Sequence, residues 1–264
     1  MPLVDLNNVR IHYDLKGSGD LPVLVLSNSL GTDCNMWNQQ LAEFSKNFRI
    51  LRYDTRGHGQ SSVAPGRYTI EGLALDLVGL LDHLELSRVY FCGLSMGGLT
   101  GMWIGMHAPQ RLHKIVLSNT ALKIGTSEGW NSRMEAVRNH GLQPIASAVL
   151  DRWFTPAFRL SFPRAVESAR QMLVGVAAEG YIACCGAIRD ADFRGASPDG
   201  SVAGIRVPTL VVSGAHDPVT TPADARAIAD CIAGAQRVEL QAAHLSNIEA
   251  ASAFSMEVGR FLTA

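Results

Sequence analysis

The sequence predicts an α/β protein: a mostly parallel β-sheet with helices on both faces and an inserted helical cap. Three observations predict it. Short apolar runs alternate with segments of helical period over residues 10–119 and again over 207–262, the pattern of strands buried on both faces. Between them, residues 123–200 show helical spacing and no strand pattern. Finally, Phe91–Gly101, "FCGLSMGGLTG", sets one serine among four glycines where a strand pattern turns into a helix pattern.

Taken in order, "RIHYDLKG" (10–17), "LPVLVLS" (21–27) and "FRILRYD" (48–54) read as strands. Thr69–Leu84 places Ile70, Leu73, Leu77, Leu80, Leu81 and Leu84 at helical spacing. The strand "RVYFCG" (88–93) follows, then a helix that stops at Ala108-Pro109, then the strand "LHKIVLSN" (112–119). Helical stretches are expected around Asn131–Asn139, Pro144–Trp153 and Pro163–Ile188. Alternation resumes with "VPTLVVSG" (207–214), a helix near Pro222–Ile232, "QRVELQ" (236–241) and a last helix over Ser246–Leu262. The expected organisation is a core of residues 1–122 and 201–264 with a helical cap, or lid, at 123–200. The chain shows no internal repeat and no low-complexity segment.

Composition narrows the function. With 264 residues, 47% of them hydrophobic, and a formal net charge of -1, the chain has ordinary globular composition. It offers no electrostatic reason to bind nucleic acid or an anionic membrane surface. The five cysteines, Cys34, Cys92, Cys184, Cys185 and Cys231, are odd in number and lack C-x-x-C spacing, which argues against a disulfide framework and structural zinc. There is no signal-peptide pattern and no apolar run of bilayer length, so a cytoplasmic location is expected.

Within the glycine-rich run, Gly93-Leu94-Ser95-Met96-Gly97 fits G-x-S-x-G in the strand–turn–helix setting that this motif needs. A turn that sharp strains the serine and leaves no room for side chains at 93 and 97. It presents the hydroxyl at a helix N-terminus, where free N–H groups stabilise developing negative charge. A phosphate-binding P-loop would need Gly-Lys-Ser/Thr, and no lysine is present. The G-x-G-x-x-G dinucleotide spelling is absent too. Gly97, Gly101 and Gly105 recur every fourth residue in a helix too short to cross a membrane, which suits close packing on the sheet.

A serine nucleophile needs a base, and the base needs an orienting acid. In chains with this elbow both follow the serine, each after a later strand. Asp217 lies just after "TLVVSG", and His244 lies just after "RVELQ", ahead of the last helix. Ser246 and Glu249 have capping-box spacing, which is expected to fix His244. His216 adjoins the proposed acid and reads as structural; His58, in "DTRGHGQSS", reads as part of a hydrogen-bonded loop. The rival acid position, at the end of "KIVLSN", holds the uncharged Asn119. The oxyanion donors are expected to be the N–H of Met96 and one from "VLVLSNSLGTDCNMW", namely Leu30 or, failing that, Ser29.

With these residues in place the chain resembles the α/β-hydrolase superfamily over nearly its full length. The segments "SNSLGTDCNMW", "RYDTRGHGQSS", "CGLSMGGLTGMW", "EGWNSR", "RWFTPAFR" and "GYIACCGAIRDADFR" resemble those of the 3-oxoadipate enol-lactonases. Many relatives carry His-Gly where this chain has Asn28-Ser29. The resemblance implies ring opening of an enol-lactone to 3-oxoadipate in aromatic-compound catabolism, with no metal or organic cofactor. The implied partner is a small lactone that carries a free carboxylate, for which Arg133, Arg152 and Arg189 are the candidate cations. Trp130 and Trp153 are candidate apolar walls of the substrate site or, equally, core residues of the cap. The competing readings are a carbon–carbon bond hydrolase of ring-cleavage products, a carboxylesterase or perhydrolase, and a small-molecule receptor on a hydrolase fold.

Overall fold

The computed structural model describes residues 2–6, 8–17, 19–195 and 201–264. The eight strands are β1 (Leu3–Leu6), β2 (Val9–Lys16), β3 (Val23–Ser27), β4 (Arg49–Tyr53), β5 (Val89–Leu94), β6 (Leu112–Ser118), β7 (Thr209–Gly214) and β8 (Gln236–Leu240). They form one sheet in the order β1-β2-β4-β3-β5-β6-β7-β8. The pairs β1/β2 and β2/β4 are antiparallel, and every pair from β4/β3 to β7/β8 is parallel. Strands β3 and β7, each flanked by a strand on both sides, are buried along their whole length, which accounts for their unbroken apolar runs "VLVLS" and "TLVVSG".

The helices before β6 are α1 (Leu41–Phe44), α2 (Ile70–His83) and α3 (Met96–His107); α4 (Ser127–His140), α5 (Ala146–Trp153), α6 (Pro156–Ser161), α7 (Pro163–Val174) and α8 (Ala178–Asp190) lie between β6 and β7, the segment expected to be the insertion. After β7 come α9 (Pro222–Cys231), α10 (Ser246–Glu249) and α11 (Ala251–Thr263). Helix α2 packs on α3, and α1 on α11, so the sheet is covered on both sides. Helix α3 comes close to the sheet at its glycines: a Cβ on Gly101 would sit 2.5 Å from the Phe91 ring. Thr69 caps α2 by accepting from the Gly72 N–H at 3.0 Å, which sets where that helix begins.

Two expectations change in the insertion, one at the N-terminus and one at the last helix, where the single helix expected over Ser246–Leu262 is α10 and α11, interrupted at the non-helical Ala250. The single stretch expected over Pro163–Ile188 is two helices, α7 and α8, which meet at 93°. Gly175 closes α7, and Ala177 is extended before α8 begins. Helix α6 was not expected; it starts on Thr155, whose hydroxyl accepts from Phe158 N–H, with Pro156 in its first turn. Strand β1 precedes the first expected strand and pairs with it as a hairpin. The expected end of the insertion falls at 196–200, outside the described residues. Among the described residues, no single helix is long and apolar enough to cross a membrane.

Candidate active site

The β5–α3 junction holds Ser95 at φ 58, ψ −110, a sparsely populated backbone region that costs about 1–3 kcal/mol. The surroundings enforce it. Ser95 N–H donates to Ser118 O at 2.9 Å, and Ser95 O accepts from Thr120 Oγ1 at 2.9 Å. Any side chain at the flanking glycines would collide with backbone: a Cβ on Gly93 would lie 2.2 Å from Gly97 O, and one on Gly97 would lie 2.3 Å from Ser27 O. The conformation is therefore set by contacts of β3 and β6 as much as by the turn itself.

Asp217 and His244 meet behind this elbow, after the carboxyl ends of β7 and β8. His244 Nδ1 and Asp217 Oδ2 are 2.8 Å apart, and both side chains are buried. Asp217 Oδ2 also accepts from Thr220 Oγ1 at 2.7 Å and Asn119 Nδ2 at 2.9 Å; Oδ1 accepts from Val219 N–H at 2.8 Å and Thr220 N–H at 3.1 Å. Burial on its own raises the Asp217 carboxyl, but the His244 charge and the bonds from His244, Asn119 and Thr220 outweigh it and hold the group at about 2. A carboxylate in that position keeps the proton of a neutral His244 on Nδ1 and leaves Nε2 to accept one. Ser95 and His244 line the same cavity, with no direct hydrogen bond between Ser95 Oγ and the imidazole.

The expected capping box does not form. Helix α10 begins after Leu245 without a side-chain cap. Ser246 Oγ instead donates to Asn119 Oδ1 at 2.5 Å, and the Glu249 carboxylate accepts from Ala243 N–H at 2.9 Å and from the Thr155 N–H and hydroxyl. Leu245 N–H donates to Trp153 O at 3.0 Å. Both neighbours of His244 are thus tied down by tertiary bonds, Leu245 directly to Trp153 and Ala243 through Glu249 to Thr155, at the α5–α6 junction of the insertion. Sequence spacing identified the right residues and the wrong partners: Ser246 donates to a buried amide oxygen, and Glu249 accepts from donors outside its own helix.

In the loop after β3, Ser29 N–H points to Met36 Sδ at 3.4 Å and Gly31 N–H donates to His58 Nε2 at 3.0 Å. Gly97 N–H donates to Asn28 O at 3.0 Å. Neither the Leu30 nor the Met96 N–H is engaged by an acceptor among the described residues; Leu30 lines the cavity that holds Ser95, and Met96 follows the serine as the first residue of α3. That favours Leu30 over Ser29 as the second donor. The Asn28 side chain is not at the site: it bonds Tyr53 O at 2.8 Å and the Trp37 indole at 2.9 Å.

Ser95, Ser29, Leu30 and His244 face a cavity of about 30 Å³, room for about one water. Val219 adds to the core side, and the other walls come from the insertion and include Trp130, Arg133, Arg152, Trp153 and Tyr181. Trp130 is fixed by its indole N–H to Ile124 O at 2.7 Å, and the Arg133 guanidinium lies 4.9 Å from the Trp130 ring centre. Four other insertion arginines are paired, Arg159 with Asp151, Arg170 with Glu167, Arg189 with Asp190 and Arg194 with Asp192, and the remaining two, Arg138 and Arg164, do not line the cavity. Arg133 and Arg152 have no carboxylate partner among the described residues. Burial, with the neighbouring Arg133 charge, pulls the Arg152 guanidinium below its usual value, so an anion between them would relieve both. Arg189 is not part of this wall; it bonds Asn131 and Asp190 on the outside of the insertion.

His216 lines a separate groove with Gln241 and Glu249, away from the serine. Two residues of the site went unread in the sequence. Tyr181 lines the cavity, and the α8 spacing of Tyr181, Cys184, Cys185 and Ile188 would have marked its buried face. Asn119, set aside as uncharged, turns out to bond the acid. One further cluster has metal-like composition: donor atoms of His12, Cys34 and Asp54 lie within 4.8 Å of one another. There His12 Nδ1 lies 2.7 Å from Asp54, which also accepts from the Cys34 N–H, and burial pushes the Cys34 thiol up to about 12. A thiol held protonated is a poor ligand, and the cluster works as a brace for the loop after β4.

A family profile described as the alpha/beta hydrolase fold matches residues 22–144. The chain is 43% identical to 3-oxoadipate enol-lactonase 2 of Acinetobacter baylyi over 95% of its own length and 92% of the relative's. Its structure matches the crystal structure of the enol-lactonase from Burkholderia xenovorans LB400 with a TM-score of 0.96, 47% identity and full coverage of both chains. A thermophilic esterase from Thermogutta terrifontis matches with a TM-score of 0.88 and 28% identity, over 97% of this chain and 93% of that one. A parallel sheet with a serine elbow, and identity of this level along the whole length, lead to one conclusion: the chain belongs to the α/β-hydrolase family, alongside the 3-oxoadipate enol-lactonases.

Proposed function

We propose that this protein hydrolyses 3-oxoadipate enol-lactone to 3-oxoadipate, with Ser95 as nucleophile, His244 as general base and acid, and Asp217 as its orienting carboxylate. The reading is carried by one observation: a serine elbow and two arginines without a carboxylate partner among the described residues, Arg133 and Arg152, share the walls of one small cavity. That cavity suits a substrate with a reactive carbonyl at one end and a carboxylate at the other. The names of the similar proteins support the same substrate.

Ser95 Oγ attacks the lactone carbonyl while His244 Nε2 takes its proton. The Leu30 and Met96 N–H groups hold the oxyanion; one such donor contributes about 3 kcal/mol to the barrier. Collapse breaks the ring C–O bond and leaves an acyl-enzyme that still carries the departing enol oxygen. His244 protonates that oxygen, and the enol tautomerises to the ketone. Water, deprotonated by His244, then releases the free acid. Arg133 and Arg152 meet the substrate carboxylate, and Trp130 and Trp153 wall the ring. Because the cavity is only about 30 Å³, admission of the lactone requires the walls from the insertion to move. The insertion is read as a cap over residues 123–200. Five cysteines without a disulfide suit a reducing compartment, so a cytoplasmic location belongs to the same reading.

The test is turnover of the unsubstituted enol-lactone beside a vinylogous 1,5-diketone, an aryl ester and peroxide. Lactone preference is expected; preference for the diketone would overturn the substrate. The esterase neighbour makes the aryl ester the control that matters most. A serine-reactive phosphonate should label Ser95, and absence of both adduct and turnover would leave a binding protein instead.

A further inference from the structure

We propose that His58 is a positioning residue for the oxyanion hole, holding the loop after β3 so that the Leu30 N–H faces the reacting carbonyl. This deepens the hydrolase reading above and rests on it. His58 is buried and far from solvent, yet it does not line the serine's cavity, so a direct proton-transfer role is ruled out by its placement. Its Nε2 is taken up by the Gly31 N–H at 3.0 Å. Accepting that bond requires a neutral ring with the proton on Nδ1, and Nδ1 duly faces Arg56 O at 3.4 Å. Burial pulls the His58 imidazole down to about 4, so the ring stays neutral at working pH.

The consequence for Leu30 follows from peptide geometry. The carbonyl of Ser29 accepts from Thr32 N–H at 3.3 Å and Thr32 Oγ1 at 2.8 Å. In a trans peptide the N–H points opposite to the carbonyl, so the Leu30 N–H is turned away from Thr32. The next N–H, that of Gly31, is pinned by His58. The two peptides on either side of the Leu30 Cα are therefore both fixed, and no freedom is left for the donor to swing away. Gly31 sits at φ +80, and a Cβ there would lie 2.7 Å from Leu173 and 3.3 Å from Tyr181, so the insertion presses on the loop from the opposite side.

His58 itself stands on a rigid base. Its N–H donates to Thr55 O at 2.9 Å and its carbonyl accepts from Ser61 N–H at 3.0 Å. The preceding Gly57 touches Gly180 of α8 so closely that a Cβ on Gly57 would lie 2.5 Å from the Gly180 Cα, and Cys184 Sγ lies 4.0 Å from His58 Nδ1. The imidazole thus bridges the core, the insertion and the oxyanion loop. Without its acceptor, Gly31 would keep a buried, unpaired N–H, and the loop would relax to satisfy it.

Steady-state kinetics on the enol-lactone and acylation by an aryl ester test this with His58→Leu, which removes the acceptor, and His58→Gln, whose amide oxygen replaces it. For His58→Leu, kcat is expected to fall roughly 10- to 100-fold with KM changed by less than about twofold, the mark of a weakened oxyanion donor. Affinity for a trifluoromethyl ketone should fall by the same factor as kcat/KM, and His58→Gln should recover most of it. Equal losses in both variants, a loss confined to KM, or wild-type kcat in His58→Leu would overturn the proposal. Imidazole nitrogen NMR of the wild-type protein gives a readout that needs no variant to fold: a neutral Nδ1–H tautomer supports the proposal, and an Nε2–H tautomer overturns it. If the wild type ignores the lactone but acylates on the ester, the substrate reading fails while the His58 comparison still stands on the ester.

Discussion

The two halves of the site are built in opposite ways. On the core side, Asp217 accepts five hydrogen bonds, from His244, Asn119, Thr220 Oγ1 and two backbone N–H groups. On the insertion side, Arg133 and Arg152 have no carboxylate, and Trp130 and Trp153 meet the cavity through packing. The difference is one of timing. The core side is satisfied before substrate arrives, so its geometry costs nothing to organise at the moment of reaction. The insertion side holds two cations in partial burial, a cost that only an anionic ligand repays. Chemistry is thus preorganised, and recognition is left incomplete until the carboxylate binds.

The comparison is broken most severely at Ser95. Ser95→Ala removes the nucleophile from a turn held by neighbouring strands, so kcat should fall about 10⁴-fold or more with the fold unchanged. Single-turnover hydrolysis together with circular dichroism checks both halves of the statement. Substantial residual turnover would end the reading of Ser95 as nucleophile.

Next in size is Asp217→Asn, expected to lower kcat roughly 10³- to 10⁴-fold by losing the correct His244 tautomer. A second variant sharpens this. Asn119 Nδ2 and His244 Nδ1 donate to the same Asp217 oxygen at 2.9 and 2.8 Å, so position 119 lies beside the imidazole. Asp217→Asn with Asn119→Asp keeps one carboxylate and one amide in the pair, with their places exchanged. It should regain roughly tenfold or more over Asp217→Asn alone, whereas Asn119→Asp alone crowds two carboxylates and should lower activity. No gain in the double variant would mean that the core side tolerates only one placement of its charge.

On the insertion side the expected loss is smaller and of another kind. Arg133→Leu removes one charge-assisted contact worth about 1.5–3 kcal/mol, so KM should rise roughly 10- to 100-fold while kcat moves by only a few-fold. A neutral aryl ester, lacking the carboxylate, should show no such rise. An equal rise for both substrates would make Arg133 a packing residue on Trp130 instead of an anion receptor.

The same division decides how much was legible in the sequence. The alternation of apolar strands and helices, and the elbow around Ser95, are local patterns, and the sheet and its strained serine agree with them. Asp217 and His244 could be assigned because each follows a strand end at the expected place. What escaped depends on contacts far apart in the chain. Asn119 bonds Asp217, Glu249 bonds Thr155, and Gly31 bonds His58, and none of these pairs leaves a spacing to read. The bend between α7 and α8 escaped because Gly175 ends the one helix and an extended Ala177 precedes the other inside an otherwise continuous helical pattern. Among the insertion arginines, sequence offered three candidates with Arg133 put first, and could not place the others, since which face a charged residue takes depends on how five helices pack.

Arg189 is the place where that last point is most easily tested, and where the expected effect is smallest. It bonds Asp190 at 2.7 Å and Asn131 at 2.8 Å, and its side chain keeps 30% of its exposure. A pair so exposed contributes about 0–1 kcal/mol to stability, and neither partner reaches the cavity. Arg189→Ala should therefore leave kcat and KM within about twofold of wild type and change stability by about 0.5 kcal/mol or less. Measured beside Arg133→Leu, it separates a charge that waits for a ligand from one already paired with its neighbours. A rise in KM comparable to that of Arg133→Leu would mean that substrate enters along the outer face of α8 and is first met there, and the division between a satisfied core and an unsatisfied insertion would have to be redrawn.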